Sequence, residues 1–385
     1  YLLAREGKKV VVIEKGSLGE SSMTSYTTAF ITYQIDTRLQ DLKKIFGTRR
    51  ADLVWMSGKD AIDAIEKIVK EESIDCEFVR CPMYVFGAKE FNWISIETEA
   101  RHAQSAGFPV EVKKHANHLP FHYVGYMSIP NQAKFHPLKY ADGLRCAAEK
   151  HGALFFEDTE AESIEGVMPV MVRTPEGDVH ADWVVITTYN PFNKPSRLYG
   201  KKGMYVSYVY ECTIPTGRFP EGLYIDGENP YHYFRVDKGE VLDRVILGGE
   251  DHRSEIKMNP DKNYDALLAY ADKIFGKGRY SISRKWKGGV LETWDGLPFI
   301  GEYSHQTPRH LVATGFSGNG MTYSMIAGQV IVDHIMERRS PYENVYDPHR
   351  GYSIKALILK GRDYLGELFK GAFKNMFGTH TRKKK

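Results

Sequence analysis

The stretch 311–333, LVATGFSGNGMTYSMIAGQVIVD, constrains this chain more than any other. A short apolar strand, Leu311-Val312-Ala313, runs through Gly315, Gly318 and Gly320 straight into a helix predicted over 320–338. Three glycines within six residues let a backbone press against a flat ligand. The helix start behind them offers unpaired N–H groups and a partial positive charge. Asn319, Met321 and Thr322 share this turn and join the glycines as candidate ligand contacts. Such a turn also occurs without any ligand, so other parts of the chain must decide.

The opening residues narrow the choice. Residues 1–7 (YLLAREG) read as the last turns of an amphipathic helix closed by Gly7. Residues 8–16 (KKVVVIEKG) are a continuous β-branched run, predicted to form a buried parallel strand that ends in Glu14 and Lys15. Helix, strand and acid make the second half of a dinucleotide-binding βαβ unit, in which a Glu at this place receives ribose hydroxyls. An ordinary α/β unit whose strand ends in Glu is the alternative. A first strand with its GxGxxG loop is not in the sequence. The loop that follows carries Gly19, Ser21, Ser22, Thr24, Ser25, Thr27 and Thr28. Ser22, Thr27 and Thr28 are candidate pyrophosphate contacts, because small hydroxyl residues let donors approach closely. A solvated Ser/Thr loop is the alternative.

Between these ends the pattern alternates. Helices are predicted over 36–75, 93–106, 136–152 and 261–276, and buried strands over 182–188 and 310–314. Residues 203–213, 222–237 and 242–250 alternate apolar and polar side chains between Pro/Gly turns, the pattern of an antiparallel sheet. The expected fold is α/β (mixed α+β). A Rossmann-like nucleotide-binding domain (1–35, 136–200, 302–345) interleaves with an antiparallel-sheet substrate domain (36–135, 201–301), and a basic tail (346–385) follows. At 385 residues and 26% charged the chain can bury a large core unaided. The net charge of +3 gives no reason to expect a nucleic-acid partner. Cys76, Cys81, Cys146 and Cys212 form no CxxC pair. No apolar run reaches membrane-spanning length, and a cytoplasmic location is expected.

Taken together, these stretches resemble the D-amino-acid-oxidase superfamily of FAD-dependent oxidoreductases, in its glycine/sarcosine oxidase group. YLLAREGKKVVVIEKG is similar to that family's first helix and second strand, and ATGFSGNGMTYSMIAGQVIVD to its C-terminal flavin motif. GALFFEDTEAESIEG resembles the stretch that meets the adenine, with Ala161 where Val is usual. DWVVITTYNPF resembles the strand whose Thr, here Thr188, closes on the flavin, and WDGLPFIGE the segment before the flavin motif. SYTTAFIT, QAKFHPLKYADGL, LGGEDHR and NVYDPHR are similar to members that carry a C-terminal Rieske domain, although no C-x-H and C-x-x-H pair is present to hold its cluster. The resemblance implies FAD as cofactor and hydride transfer from a C–N bond of a small amine or amino acid. A flavoprotein without its own catalysis, or a dehydrogenase serving a separate iron–sulfur partner, are the alternatives. It also leads us to expect that the sequence is a fragment lacking about two dozen residues, a strand, loop and helix start.

Such chemistry needs substrate placement rather than a nucleophile. On the segment 230–235, Tyr231, Tyr233 and Arg235 share one strand face. The tyrosines would wall the substrate, and Arg235 would clamp a carboxylate or else form a surface salt bridge. Asp295 is expected to be a turn acceptor rather than a base. His115, His118 and His122 have helical spacing, but Pro120 breaks any helix there, and no metal site is expected. The stretch 355–385, with nine Lys/Arg against two Asp/Glu, is expected to dock on the body, a membrane-surface helix being the alternative.

Overall fold

The computed structural model describes residues 1–19, 22–115, 118–192, 202–228, 230–256 and 258–351, with Ala356 and Ile358. Ser21 and nearly all of the basic tail lie outside the described residues. The helices are α1 (Leu2–Arg5), α2 (Leu39–Phe46), α3 (Thr48–Glu71), α4 (Glu90–Ser105), α5 (Pro137–Lys150), α6 (Pro260–Ala271), α7 (Gly320–Ile335) and α8 (Glu343–Tyr346). The strands begin with β1 (Val11–Ile13), β2 (Phe30–Ile31), β3 (Val79–Gly87), β4 (Glu111–Lys114), β5 (Gly125–Lys134) and β6 (Leu154–Phe156). They continue with β7 (Ser163–Glu165), β8 (Val170–Thr174), β9 (Gly177–Ala181), β10 (Val184–Ile186), β11 (Lys202–Pro215) and β12 (Gly222–Asp226). The last are β13 (His232–Asp237), β14 (Leu242–Arg253), β15 (Ser281–Thr293), β16 (Phe299–Ser304) and β17 (Thr307–Thr314).

Two parallel pairs carry the nucleotide-binding pattern: β1 beside β6, and β10 beside β17, with β16 antiparallel on the far edge of β17. A large sheet runs β15-β11-β14-β13-β12-β3-β5-β2, with β4 also on β5. Its neighbours are antiparallel except β12 and β3. A small β7-β8-β9 meander stands apart. The mixed α/β architecture is the one expected.

One core lies where α3, α4 and α7 meet the sheets, with Trp55, Ile62, Ile65, Met127, Leu311 and Ile326 fully or almost fully buried. The buried stripe of α3, Ala51, Val54, Trp55, Gly58, Ala61, Ile62, Ile65 and Ile68, follows the helical three-and-four spacing. Gly58 sits at the closest approach, where a Cβ would come within 2.8 Å of Tyr33 Cα. α3 packs on α7, and this core includes residues on both sides of residue 35. A second core, rich in Tyr and Phe, joins the other face of the large sheet to α6.

The strand expected to be buried at 8–16 is short and half open. Val11 is 41% exposed, and Leu154 and Phe156 on the neighbouring strand are exposed too. Among the described residues β1 has a partner on one side only, so its ribbon covers little surface. No helix among the described residues is long and apolar enough to cross a membrane.

Candidate active site

The glycine turn is built by its neighbours. Gly315 adopts φ +77°, and a Cβ there would lie 2.5 Å from Thr293 Cγ2, so only glycine fits. Gly318 N–H donates to Asp36 Oδ2 at 3.0 Å. Asn319 Nδ2 donates to Thr32 Oγ1 and Gln34 O (2.9 and 3.2 Å), and Thr322 Oγ1 donates to Thr32 O at 3.1 Å. The side chains of Asn319 and Thr322 therefore brace the turn, and what the turn can offer a ligand is its backbone. Met321 packs partly against the main core. A Cβ on Gly320 would meet no heavy atom within 4 Å, so the start of α7 faces open room.

The adenine-side candidates also converge. Glu14 N–H donates to Phe156 O and Thr159 N–H to Glu14 O, both at 2.9 Å, which sets Glu14 beside the segment leading to half-buried Ala161. Gly16 N–H donates to Glu14 Oε1 at 3.1 Å. Lys15 instead points outward, in an exposed ion pair with Glu160. Thr188 is exposed, its hydroxyl donating to Asn190 O at 3.3 Å. The next carbonyl, Tyr189 O, accepts from Thr314 Oγ1 and so ties this strand end to the glycine turn. In the hydroxyl-rich loop Ser22 Oγ donates to Gly19 O (3.4 Å), Thr27 Oγ1 accepts from Ala29 N–H (3.2 Å) and Thr28 O accepts from Arg235.

Tyr231 and Tyr233 come together, their ring centroids 6.0 Å apart and their planes inclined by 28°. Tyr231 OH donates to Asp251 Oδ2 at 2.9 Å, and Tyr233 OH lies 3.2 Å from Ser207 Oγ. Tyr231 is 37% exposed, yet loss of solvent, followed by the charge of Asp251, pushes its phenol well above the usual range. Tyr231, partly open to solvent, and Tyr233, Ser207 and Asp251 behind it line one recess. Burial also pushes the Asp251 carboxyl up to about 6, with the charges of Asp36 and Glu292 adding to it and hydrogen bonds from Ser207 and Tyr231 opposing it. Asp36 thus touches both walls: its oxygen holds the glycine turn, and its charge acts on Tyr231, Tyr233 and Asp251.

The role expected for Arg235 is not the one found. Its side chain is 2% exposed, and Nη1 donates to the carbonyls of Thr28 (2.8 Å), Ala29 (3.3 Å) and Phe135 (2.9 Å). Nη2 pairs with Asp237 at 3.2 Å. The two-residue period does put it on the tyrosines' face. One rung further along, however, that face is covered by residues 28–29 and 135, so Arg235 is neither a carboxylate clamp nor a surface ion pair. Asp295 is the turn acceptor expected: it takes Leu297 N–H at 3.2 Å and is held by Arg350 Nε and Nη2 at 2.7 and 2.8 Å.

Asp36, Ser207, Asp251 and Glu292 escape pattern reading. Where β11 pairs β14 the register jumps from Val206 opposite His252 to Tyr208 opposite Gly249. Glu250 in that gap has φ +56°. This bulge breaks the alternation and places Ser207 and Asp251 at the recess. LGGEDHR marks the place, but no periodicity shows which of its side chains turns inward.

The residues present fit an FAD. The helix start has room before Gly320, Asn319 Oδ1 is buried without a hydrogen-bond partner, and Glu14 stands at the end of a parallel strand. Glu14 would hold the ribose and the backbone of 315–321 the ring system.

A protein of Bacillus subtilis (strain 168) named a putative Rieske 2Fe-2S iron-sulfur protein, YhfW, is 30% identical over 378 residues, covering 96% of this chain and 73% of its own length. The gamma-glutamylputrescine oxidoreductase of Escherichia coli (strain K12) is 23% identical, over 90% of this chain and 83% of its own. The crystal structure of glycine oxidase from Geobacillus kaustophilus superposes with a TM-score of 0.75 at 20% identity, covering 91% of this chain and 95% of that one. Residues 1–334 match the model of a family described as FAD dependent oxidoreductase, and with its glycine turn, parallel strands and recess this chain belongs to that family.

Proposed function

We propose that this chain oxidises the C–N bond of a small amine or amino acid, with the hydride passing to FAD. The observation that carries this reading is the recess wall, where the paired rings of Tyr231 and Tyr233 and the Asp251 carboxylate that accepts from Tyr231 gather near Asp36, which holds the glycine turn. Bound FAD supplies the hydride acceptor. The chain's own residues bind, orient and deprotonate. Tyr231 and Tyr233 form an aromatic wall that excludes water and fixes the carbon to be oxidised. A protonated amine holds its lone pair in an N–H bond, so that proton must leave first. Asp251 Oδ2, with its carboxyl pushed up to about 6, takes it near neutral pH. The start of α7 contributes a partial positive charge where negative charge develops.

A second reading concerns where the electrons go next. The name of the Bacillus relative supports a dehydrogenase that serves an iron–sulfur partner rather than oxygen. The test is an anaerobic screen of the FAD-loaded protein against amines and amino acids, following loss of the yellow absorbance. Bleaching by one such compound is expected; bleaching only by substrates without a C–N bond would overturn the proposal. Oxygen uptake after bleaching then separates oxidase from dehydrogenase.

A further inference from the structure

Away from the recess, the β16–β17 turn meets the segment that follows α8. Glu302, His305 and His349 each bring one ligand atom to within 4.8 Å of the others. His305 Nδ1 is 3.1 Å from Glu302 Oε1, and the His305 and His349 rings stack with centroids 3.7 Å apart and planes 12° from parallel. His349 is braced from the outside: Asp347 Oδ1 lies 3.3 Å from its Nδ1 and also accepts its backbone N–H at 2.8 Å. A carboxylate on one imidazole nitrogen fixes the ring and leaves the other nitrogen to ligate, the usual outer support of a metal-bound histidine.

We infer that Glu302, His305 and His349 form a binding site for a zinc-like divalent transition metal, with Asp347 as a positioning residue. Two imidazoles and a carboxylate are the donor set that zinc takes, with a fourth place left for water. Metal–ligand bonds of about 2.0–2.2 Å need ligand atoms roughly 3.3–3.6 Å apart in a tetrahedron. The separation must therefore close by about 1 Å, and the His305 ring must turn out of its stack on His349, because lone pairs lying in two parallel ring planes do not meet at one ion. His305 has the freedom to close it: it sits in a two-residue turn, and its side chain is 75% exposed. The other two ligands stand on fixed backbone. Glu302 lies within β16, and the segment at 347–350 is pinned to β16 by Pro348 against Gly301 and to the turn before β16 by Arg350 bonded to Asp295 and Pro298 O. The metal would staple the chain after α8 to the hairpin that runs into the glycine turn. This site is separate from the recess and does not depend on the proposed substrate.

Tag-free protein, stripped with chelator and reloaded with FAD, is titrated with Zn2+ by calorimetry and with Co2+ by visible absorption. One equivalent is expected, with a Co2+ spectrum of low-symmetry nitrogen and oxygen ligation. His305→Gln changes an exposed side chain, so the fold is kept, and it should weaken binding roughly tenfold or more, as should Asp347→Ala. Zn2+ should raise the Tm of the parent and not of the His305→Gln/His349→Gln double variant. If the folded parent binds no Zn2+ at micromolar concentration, or if the double variant keeps the same equivalent at the same affinity, the inference is overturned.

Discussion

Asp251 concentrates the conflict between folding and chemistry. Its folded value of about 6 lies above the ordinary carboxyl value of about 3.9. The native state therefore resists its ionisation, and stability is kept in acid and lost as pH rises through about 6. Asp251→Asn removes that cost and should raise the Tm at pH 7.5 by roughly 2–4 °C. It should also slow flavin reduction about 100-fold or more. In the parent, reduction should fall as pH drops through about 6, and the variant should lose that inflection; stopped-flow reduction across pH 5–8 reads both. Arg235 behaves in the opposite way. Arg235→Met leaves Asp237 and three carbonyls with a lost partner in the interior, which should cost about 3–5 kcal/mol in urea unfolding. A variant that kept its stability and lost only affinity for carboxylate substrates would restore the clamp. The sequence showed Arg235 and the tyrosines on one face but not what covers each rung, because strand period says nothing about the chain that crosses above it.

At the level of elements, β13 is anchored by a charge. His232 bridges Asp226 at 3.0 Å and Glu250 at 3.2 Å and stacks on Tyr270 with ring centroids 3.8 Å apart. Burial opposes its charge, but hydrogen bonds and ion pairing with Asp226 and Glu250 prevail and push it up to about 9. A base raised in the folded state stabilises fully below its ordinary value near 6.5, and that stability is lost as pH rises through 9. The contribution is at most about 3 kcal/mol. Urea midpoints should therefore fall between pH 7 and 10, and His232→Gln should flatten that slope. Elsewhere, elements were legible wherever the local pattern was undisturbed. The predicted helix over 136–152 is α5, with Pro137 in its first turn and His136 at its N-cap, and α6 begins at Asn259-Pro260 in the same way. α2 is started from a distance, by Glu99 of α4 accepting Leu39 and Gln40 N–H at 2.5 and 3.0 Å. No local signal announces such a cap.

For the whole molecule, mixed α/β architecture and the turn at 315–322 could be read from spacing and glycine placement alone. The core under α3, α4 and α7 could not, because only tertiary packing shows that α3 lies on α7 as well as with the large sheet. That packing has a consequence for the site. α3 presses on Tyr33, and the adjoining residues 32–36 hold Asn319, Thr322 and Gly318. Gly58→Val would push against Tyr33 and should cost about 1–3 kcal/mol. FAD affinity should fall along with the Tm, although no residue of the turn is altered. An unchanged flavin dissociation constant in a destabilised Gly58→Val would show that the two are uncoupled.

The jog between β11 and β14 has an evolutionary corollary. A strand alternates sides, so deleting Glu250 would let the ladder close with Asp251 directly opposite Ser207, still on the face of Tyr233, while His232 lost one of its two carboxylates. In a lineage built on this scaffold, the extra residue can thus come and go with the acid kept in the chamber, and what changes is the charge that anchors the strand behind it.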